Sequence, residues 1–165
     1  MNGTLPASET AQDVLTFLAL HGLTGKPVYV EFQDHGYEPN YCHVSAKHMA
    51  RTKGGKRIHG WAIWQFPGYV LAEFHSIWED PAGNWIDVTP PKWHSTKVLF
   101  VADPTLSIYD HGHVQALYCD RSSDKNVPYW YQGKPHNQAE WAIANNAADL
   151  LRYCAKLGLP DTSMV

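Results

Sequence analysis

Hydrophobic positions along this chain recur at helical spacing near both ends and at strand spacing between them. Ala11, Val14, Leu15 and Leu18 fall at i, i+3, i+4 and i+7, predicting an amphipathic helix over residues 9–21, with Ser8 as N-cap and Gly22 at its end. Residues 27–32 read as a strand, and the Asp, Gly, Pro and Asn of 33–40 as a loop. A second helix is expected from about 41 to 52, capped by Asn40 and stopped by Gly54-Gly55. Strands follow over 58–66 and 69–79, flanking a Pro67-Gly68 turn, then over 84–89 after the Asp80-Pro81-Ala82-Gly83 turn, and over 97–102. Residues 103–135 carry Pro, Gly and Asp throughout and predict only one strand, near 113–118. Asn137 to Glu140 is a variant capping box that opens a helix of about 137–157. Trp141, Ala144, Ala148 and Leu151 share one face of it, and Gly158 and Pro160 stop it.

This order of elements predicts an α+β fold in one domain, 1–165. An antiparallel β-meander packs with a Cys-bearing helix before it and a helix after it, and the core spans about 28–102. Hydrophobic residues make up 44% and charged residues 18% of the chain, a globular balance. A net charge of −3 gives no basic footprint for nucleic acid, and Gly54 and Gly55 interrupt the small cluster of Lys53, Lys56 and Arg57. The longest apolar stretch, Val14 to Leu20, is too short to span a bilayer, and the N-terminus lacks the pattern of a signal peptide. The three cysteines, Cys42, Cys119 and Cys154, form no disulfide framework. The expectation is therefore a reducing, cytoplasmic setting, with export by a specialised system left open. Five of the seven Trp lie between Trp61 and Trp93, dense enough to build a core or wall a cleft.

The candidate chemistry lies in Cys42, His75 and Asp87, which occur in that order. Cys42 falls at the expected start of a helix, where free N–H groups and the helix dipole favour a thiolate and can bind a developing oxyanion. His75 shares a strand face with Glu73. Continuing the hairpin register places position 77 opposite 87 and 75 opposite 89, so Asp87 is a diagonal neighbour of His75 on one face. Pairing around Pro67-Gly68 puts Gly60 opposite His75 and Ala62 opposite Glu73, small residues expected to leave room for the Cys42 helix. In this arrangement Cys42 attacks, His75 moves the proton and Asp87 orients the imidazole. Glu73 is a competing orienter or a cleft residue, and His59 alternates onto the opposite face. Gln33, nine residues before Cys42, is a candidate oxyanion donor, and Tyr41 and Trp78 are candidate substrate contacts. His111 and His113, near Asp110, Cys119 and Asp120, match no standard zinc spacing, so no metal and no cofactor is assigned, although a zinc-binding module stays an alternative. His43 and His48 are five apart and share a helix face poorly.

These pieces resemble the papain-like superfamily, and its transglutaminase-core branch most closely. The matching residues are Cys42 at a helix start, His75 followed by Trp78, Gly83 in a turn, and Asp87-Val88-Thr89-Pro90, over about residues 28–102. The stretch 60–75 is also similar to one in small bacterial and phage proteins with a Gly-Trp…Trp…Pro-Gly…Glu-x-Phe-His pattern. Tyr41 and His43 flank Cys42 where that branch carries a nearby Trp, and no Gln stands at the papain interval. The resemblance implies a papain-like or transglutaminase-like fold. It also implies a cysteine hydrolase of an amide, in a peptide bond or a Gln/Asn side chain of a peptide or protein substrate, working through a thioester. A transglutaminase-type acyl transferase and a non-catalytic interaction module on the same scaffold remain the alternatives.

Overall fold

A long hairpin organises the molecule. In the computed structural model, which describes residues 2–108, 119–127, 129–131, 134–136 and 147–160, strands β2 (Lys56–Phe66) and β3 (Tyr69–Glu79) pair along their whole length. Gly68 supplies the left-handed conformation between them, with φ +80°. Asp80 then accepts from the backbone N–H groups of Ala82 and Asn84 and turns the chain into β4 (Trp85–Ile86), which pairs with the end of β3. The meander goes no further. β5 (Lys97–Ala102) crosses to the other edge of β2, and β1 (Val28–Glu31) lies outside it, giving the order β1-β5-β2-β3-β4. β6 (Asp120–Ser122) pairs with β3 at Leu71 to Glu73, and β7 (Tyr129–Tyr131) and β8 (Lys134–His136) form a separate hairpin.

The two ends of the five-strand path meet. Phe32 and Asp87 form a parallel bridge, in which Asp87 N–H donates to the Glu31 carbonyl (3.0 Å) and Gln33 N–H to the Asp87 carbonyl (2.9 Å). Strands that alternate in direction along an odd-numbered path must close parallel, so the sheet rolls into a small barrel. Period-two alternation sends Val30, Ala62, Trp64, Ile77, Val98 and Phe100 into one apolar cluster, the interior. The opposite sheet face, with Trp61, Ile63, Phe74, Trp78, Leu99 and Val101, packs against the helices. The expected strand 84–89 is cut to two residues because Asp87 leaves β3 to pair with β1.

Three α-helices lie among the described residues: α1 (Gln12–Leu20), α2 (Cys42–Lys53) and α3 (Ala147–Lys156). Their caps and faces differ from the sequence reading. Ala11, not Ser8, is the N-cap of α1, and Ser8 instead receives the Ala11 N–H through its carbonyl. Phe17 replaces Leu15 on the inward face of α1, because its ring packs against His21 and edge-on to Trp61, leaving Leu15 exposed. Asn40 adopts a left-handed conformation (φ +72°) and Tyr41 is the N-cap of α2, with no side-chain capping bond. On α3 the buried side is Leu150, Tyr153 and Cys154, whereas Ala148 and Leu151 are exposed. Gly158, at φ +73°, ends the helix as expected, with the Leu159 N–H returning to the Cys154 carbonyl. The capping box at 137–140, Trp141, Ala144 and the strand expected near 113–118 lie outside the described residues.

Candidate active site

Cys42 is the first residue of α2, and the missing side-chain cap leaves the first N–H groups of that helix unspent by a capping side chain. α2 packs on the Phe74 and Trp78 face of β3, whereas His75 points to the other face. The two meet at the edge of the sheet. β6 and its approach cover the edge of β3 up to Phe74, whose N–H donates to the Cys119 carbonyl, and β4 covers it from Trp78 onward. His75 sits in the opening between them, and Cys42 lines the same cavity, close enough for each group to shift the titration of the other.

The small residues opposite His75 have a different reason from the one expected. Gly60 does pair with His75 and Ala62 with Glu73. A Cβ on Gly60, however, would stand 2.1 Å from the Val101 carbonyl oxygen and 2.5 Å from the Phe100 ring. The space serves the close approach of β5 rather than the Cys42 helix.

Asp87 is fully buried and held by two backbone hydrogen bonds and one contact at each carboxylate oxygen. Its backbone bridges to β1, its Oδ1 accepts the Thr89 N–H at 3.0 Å, and its Oδ2 lies 3.1 Å from His75 Nε2. With Nε2 committed to Asp87, Nδ1 is the nitrogen available to the Cys42 sulfur. Burial opposes the charged form of His75, but Asp87 and Cys42 outweigh it and hold the imidazole well above its usual range. Burial likewise pushes the Cys42 thiol up, and the imidazoles of His43 and His75 overcome this, leaving it at about 5. The pair is therefore thiolate and imidazolium at neutral pH.

His43 is the partner that sequence reasoning missed. It is buried, its ring packs on Phe74, and its Nδ1 lies 2.6 Å from Ser76 Oγ, while His59 Nδ1 lies 2.8 Å from the same oxygen. One hydroxyl proton cannot serve two imidazoles, so at least one Nδ1 carries a hydrogen and donates to Oγ. Burial, and then the nearby Arg57, lower His59 to about 3, keeping it neutral. The available signal was adjacency to Cys42 together with Ser76 and His59 facing each other across the hairpin. His48, with which His43 was compared, is bonded instead to the Tyr37 hydroxyl at 2.7 Å.

Cys42 and His75 open onto a cavity whose wall also includes Trp64, Glu73, Thr89, Lys92 and Asp120. Glu73 is on the His75 side, but its carboxylate accepts from Trp64 Nε1 and pairs with Lys92, so it does not orient His75. Three other candidates lie off the cavity wall. The exposed Gln33 is tied to Asp87 through its backbone, so its side chain is not placed as an oxyanion donor. Tyr41 stacks on Tyr153 with ring centroids 4.4 Å apart. Trp78 is on the opposite sheet face, donating to the Gly54 carbonyl. Lys92 was not anticipated as a site residue, Thr89 entered only with the stretch after Asp87, and Asp120 only beside His111 and His113; Asp120 arrives at the cavity through its register with Glu73.

All three cysteines are buried and none is in a disulfide, and burial pushes Cys119 up to about 11. Among the described residues no group of three metal-ligating side chains occurs; His111, His113 and Asp110 lie outside them. No helix among the described residues is long and apolar enough to cross a membrane. Comparisons with models of protein families, with curated proteins and with solved structures found no match.

Proposed function

We propose that this chain is a cysteine-dependent hydrolase of an amide, in a peptide bond or a Gln/Asn side chain of a peptide or protein, built on a papain-like arrangement of the transglutaminase-core kind. One observation carries the reading. Three separately placed elements, the start of α2, the middle of β3 and the residue after β4, bring Cys42 beside His75 at a cavity and Asp87 onto the His75 Nε2. The division of labour fits nucleophilic thiol catalysis. The Cys42 thiolate attacks the carbonyl carbon, and the uncapped N–H groups of α2 stand near the developing oxyanion. As the C–N bond breaks, the His75 imidazolium gives its Nδ1 proton to the departing nitrogen, leaving a thioester. Water, deprotonated by His75, then attacks the thioester. The carboxylic product leaves and the thiolate–imidazolium pair is restored.

The test is intact-mass labelling with iodoacetamide at about pH 5.5, where an activated thiol outpaces an ordinary one. Labelling confined to Cys42, absent in Cys42→Ala and slowed in His75→Ala, is expected. Equal labelling of Cys42, Cys119 and Cys154 would overturn the reading.

A further inference from the structure

The wall of the cavity beyond His75 is unbalanced in charge and in hydrogen bonds. Glu73 and Asp120 face each other across β3 and β6, and apart from His75, whose charge is matched by the Cys42 thiolate, Lys92 is the one cation among the described lining residues. Lys92 is already paired with Glu73, whose other oxygen is taken by Trp64. No hydrogen bond or ion pair reaches the Asp120 carboxyl among the described residues. Thr89 also lines the cavity. It is 4% exposed, and its Oγ1 has no hydrogen-bond partner among the described residues. Buried polar groups in native proteins are normally satisfied, so a hydroxyl and a carboxyl that lack partners among the described residues on one cavity wall point to a bound molecule as their partner.

Resting on the cysteine-hydrolase reading, we infer that the cavity binds a substrate with a protonated primary amine, seated between Asp120 and Thr89 Oγ1 while Cys42 attacks its acyl group. An ammonium has three N–H donors, enough for a carboxylate, a hydroxyl oxygen and a third acceptor. The site already accommodates one such group, Lys92 Nζ on Glu73. With the Cys42–His75 pair balanced, two carboxylates against Lys92 leave an excess of negative charge among the described lining residues, and burial and the neighbouring Glu73 push Asp120 up to about 7, only partly offset by Lys92. A bound ammonium supplies the missing charge. A divalent cation is disfavoured there because Lys92 already stands on Glu73. The amine can be the amino terminus of a peptide or a lysine-like side chain, two sources of the same chemistry.

The test uses chloromethyl ketones that alkylate Cys42, followed by intact mass. Alanyl chloromethyl ketone with a free amine is compared with its N-acetyl form. N-acetyl-lysyl chloromethyl ketone is compared with the N-acetyl-norleucyl reagent. In the wild type one of the two amine-bearing reagents is expected to label about tenfold faster than its neutral counterpart, and which pair shows it identifies the source. That ratio should fall to near one in Asp120→Asn and be largely retained in Asp120→Glu. Equal rates within both pairs in the wild type, or an undiminished ratio in Asp120→Asn, would overturn the inference.

A second measurement is independent of thiol chemistry. Carbon-13 titration of the Asp120 carboxyl, whose charged neighbours are Glu73 and Lys92, with Cys42 and His75 on the same cavity wall, is repeated with methylammonium chloride against sodium chloride at equal ionic strength. Methylammonium is expected to lower the Asp120 midpoint in wild-type protein. No shift would overturn the ammonium site, even if Cys42 proves to be the nucleophile. A shift with no selective labelling of Cys42 would uphold the ammonium site and sink the hydrolase reading alone.

Discussion

The perturbation with the sharpest consequence is a change of pH during alkylation of Cys42. The thiol moves from 9.0 to about 5, and Cys119 from 9.0 to about 11. At pH 7 a thiol at 5 is about 99% ionised and one at 9 about 1%, a gain of about 100-fold in thiolate. Nucleophilicity falls with basicity at a Brønsted slope of about 0.4–0.5, and four units of it cost about 60-fold. The two effects nearly cancel, so labelling at neutral pH discriminates poorly. At pH 5.5 the thiolate ratio rises to about 2,400-fold and the net advantage over an ordinary thiol to about 40-fold. Over Cys119 the same arithmetic gives about 500-fold. The assay is iodoacetamide labelling between pH 5 and 8, with site occupancy read by peptide mass and N-acetylcysteine as the reference thiol. Cys42 should hold its rate down to about pH 5 while the reference drops about tenfold per unit. A parallel tenfold drop at Cys42 would refute the ion-pair argument and with it the assignment of His75 and His43 as stabilising partners.

Three further substitutions probe separate parts of the site. Asp87→Asn keeps the shape but removes the charge that raises His75, so amide hydrolysis should fall by about 10²- to 10⁴-fold, read as kcat/KM. The imidazolium is then lost at lower pH, and the alkaline limb of the pH–rate profile should move down. Ser76→Ala removes the hydroxyl between His43 and His59, costing about 1–3 kcal/mol in urea unfolding and raising the Cys42 midpoint by less than His75→Ala does. Gly60→Ala forces a methyl group into the Val101 carbonyl and the Phe100 ring, so a loss of about 3 kcal/mol or more in urea unfolding is expected. Wild-type stability in that variant would show that β5 can retreat from β2.

Much of the frame was legible in the chain because it depends on local chemistry. Pro67-Gly68 and Asp80 to Gly83 are turn signals that act over a few residues, and they set the hairpin registers by which Gly60 meets His75 and Trp78 meets Ile86, whereas Asp87 leaves β3 and reaches His75 through its side chain. Strand parity then put His75 and Glu73 on one face and His59 on the other, as observed. Placing Cys42 at a helix start needed only the loop composition before it and Gly54-Gly55 after it. What the chain alone left undecided were pairings between distant segments. The return of β5 to the edge of β2 and the closure of β1 on Asp87 are backbone hydrogen bonds, which carry no side-chain signature in the sequence. The rotation of α1 onto Phe17 and of α3 onto Tyr153 followed from ring packing in three dimensions rather than from spacing. Asp120 and Lys92 became cavity residues only when β6 docked on β3 and the chain after Asp87 lay over the barrel. The sequence thus determined which residues could do thiol chemistry. The tertiary structure decided that α2 comes round the sheet edge to His75, and that His43 rather than Gln33 is the additional polar neighbour of Cys42. Electrostatic and hydrogen-bonding partners are chosen by proximity in space, and that proximity exists only once the barrel has closed.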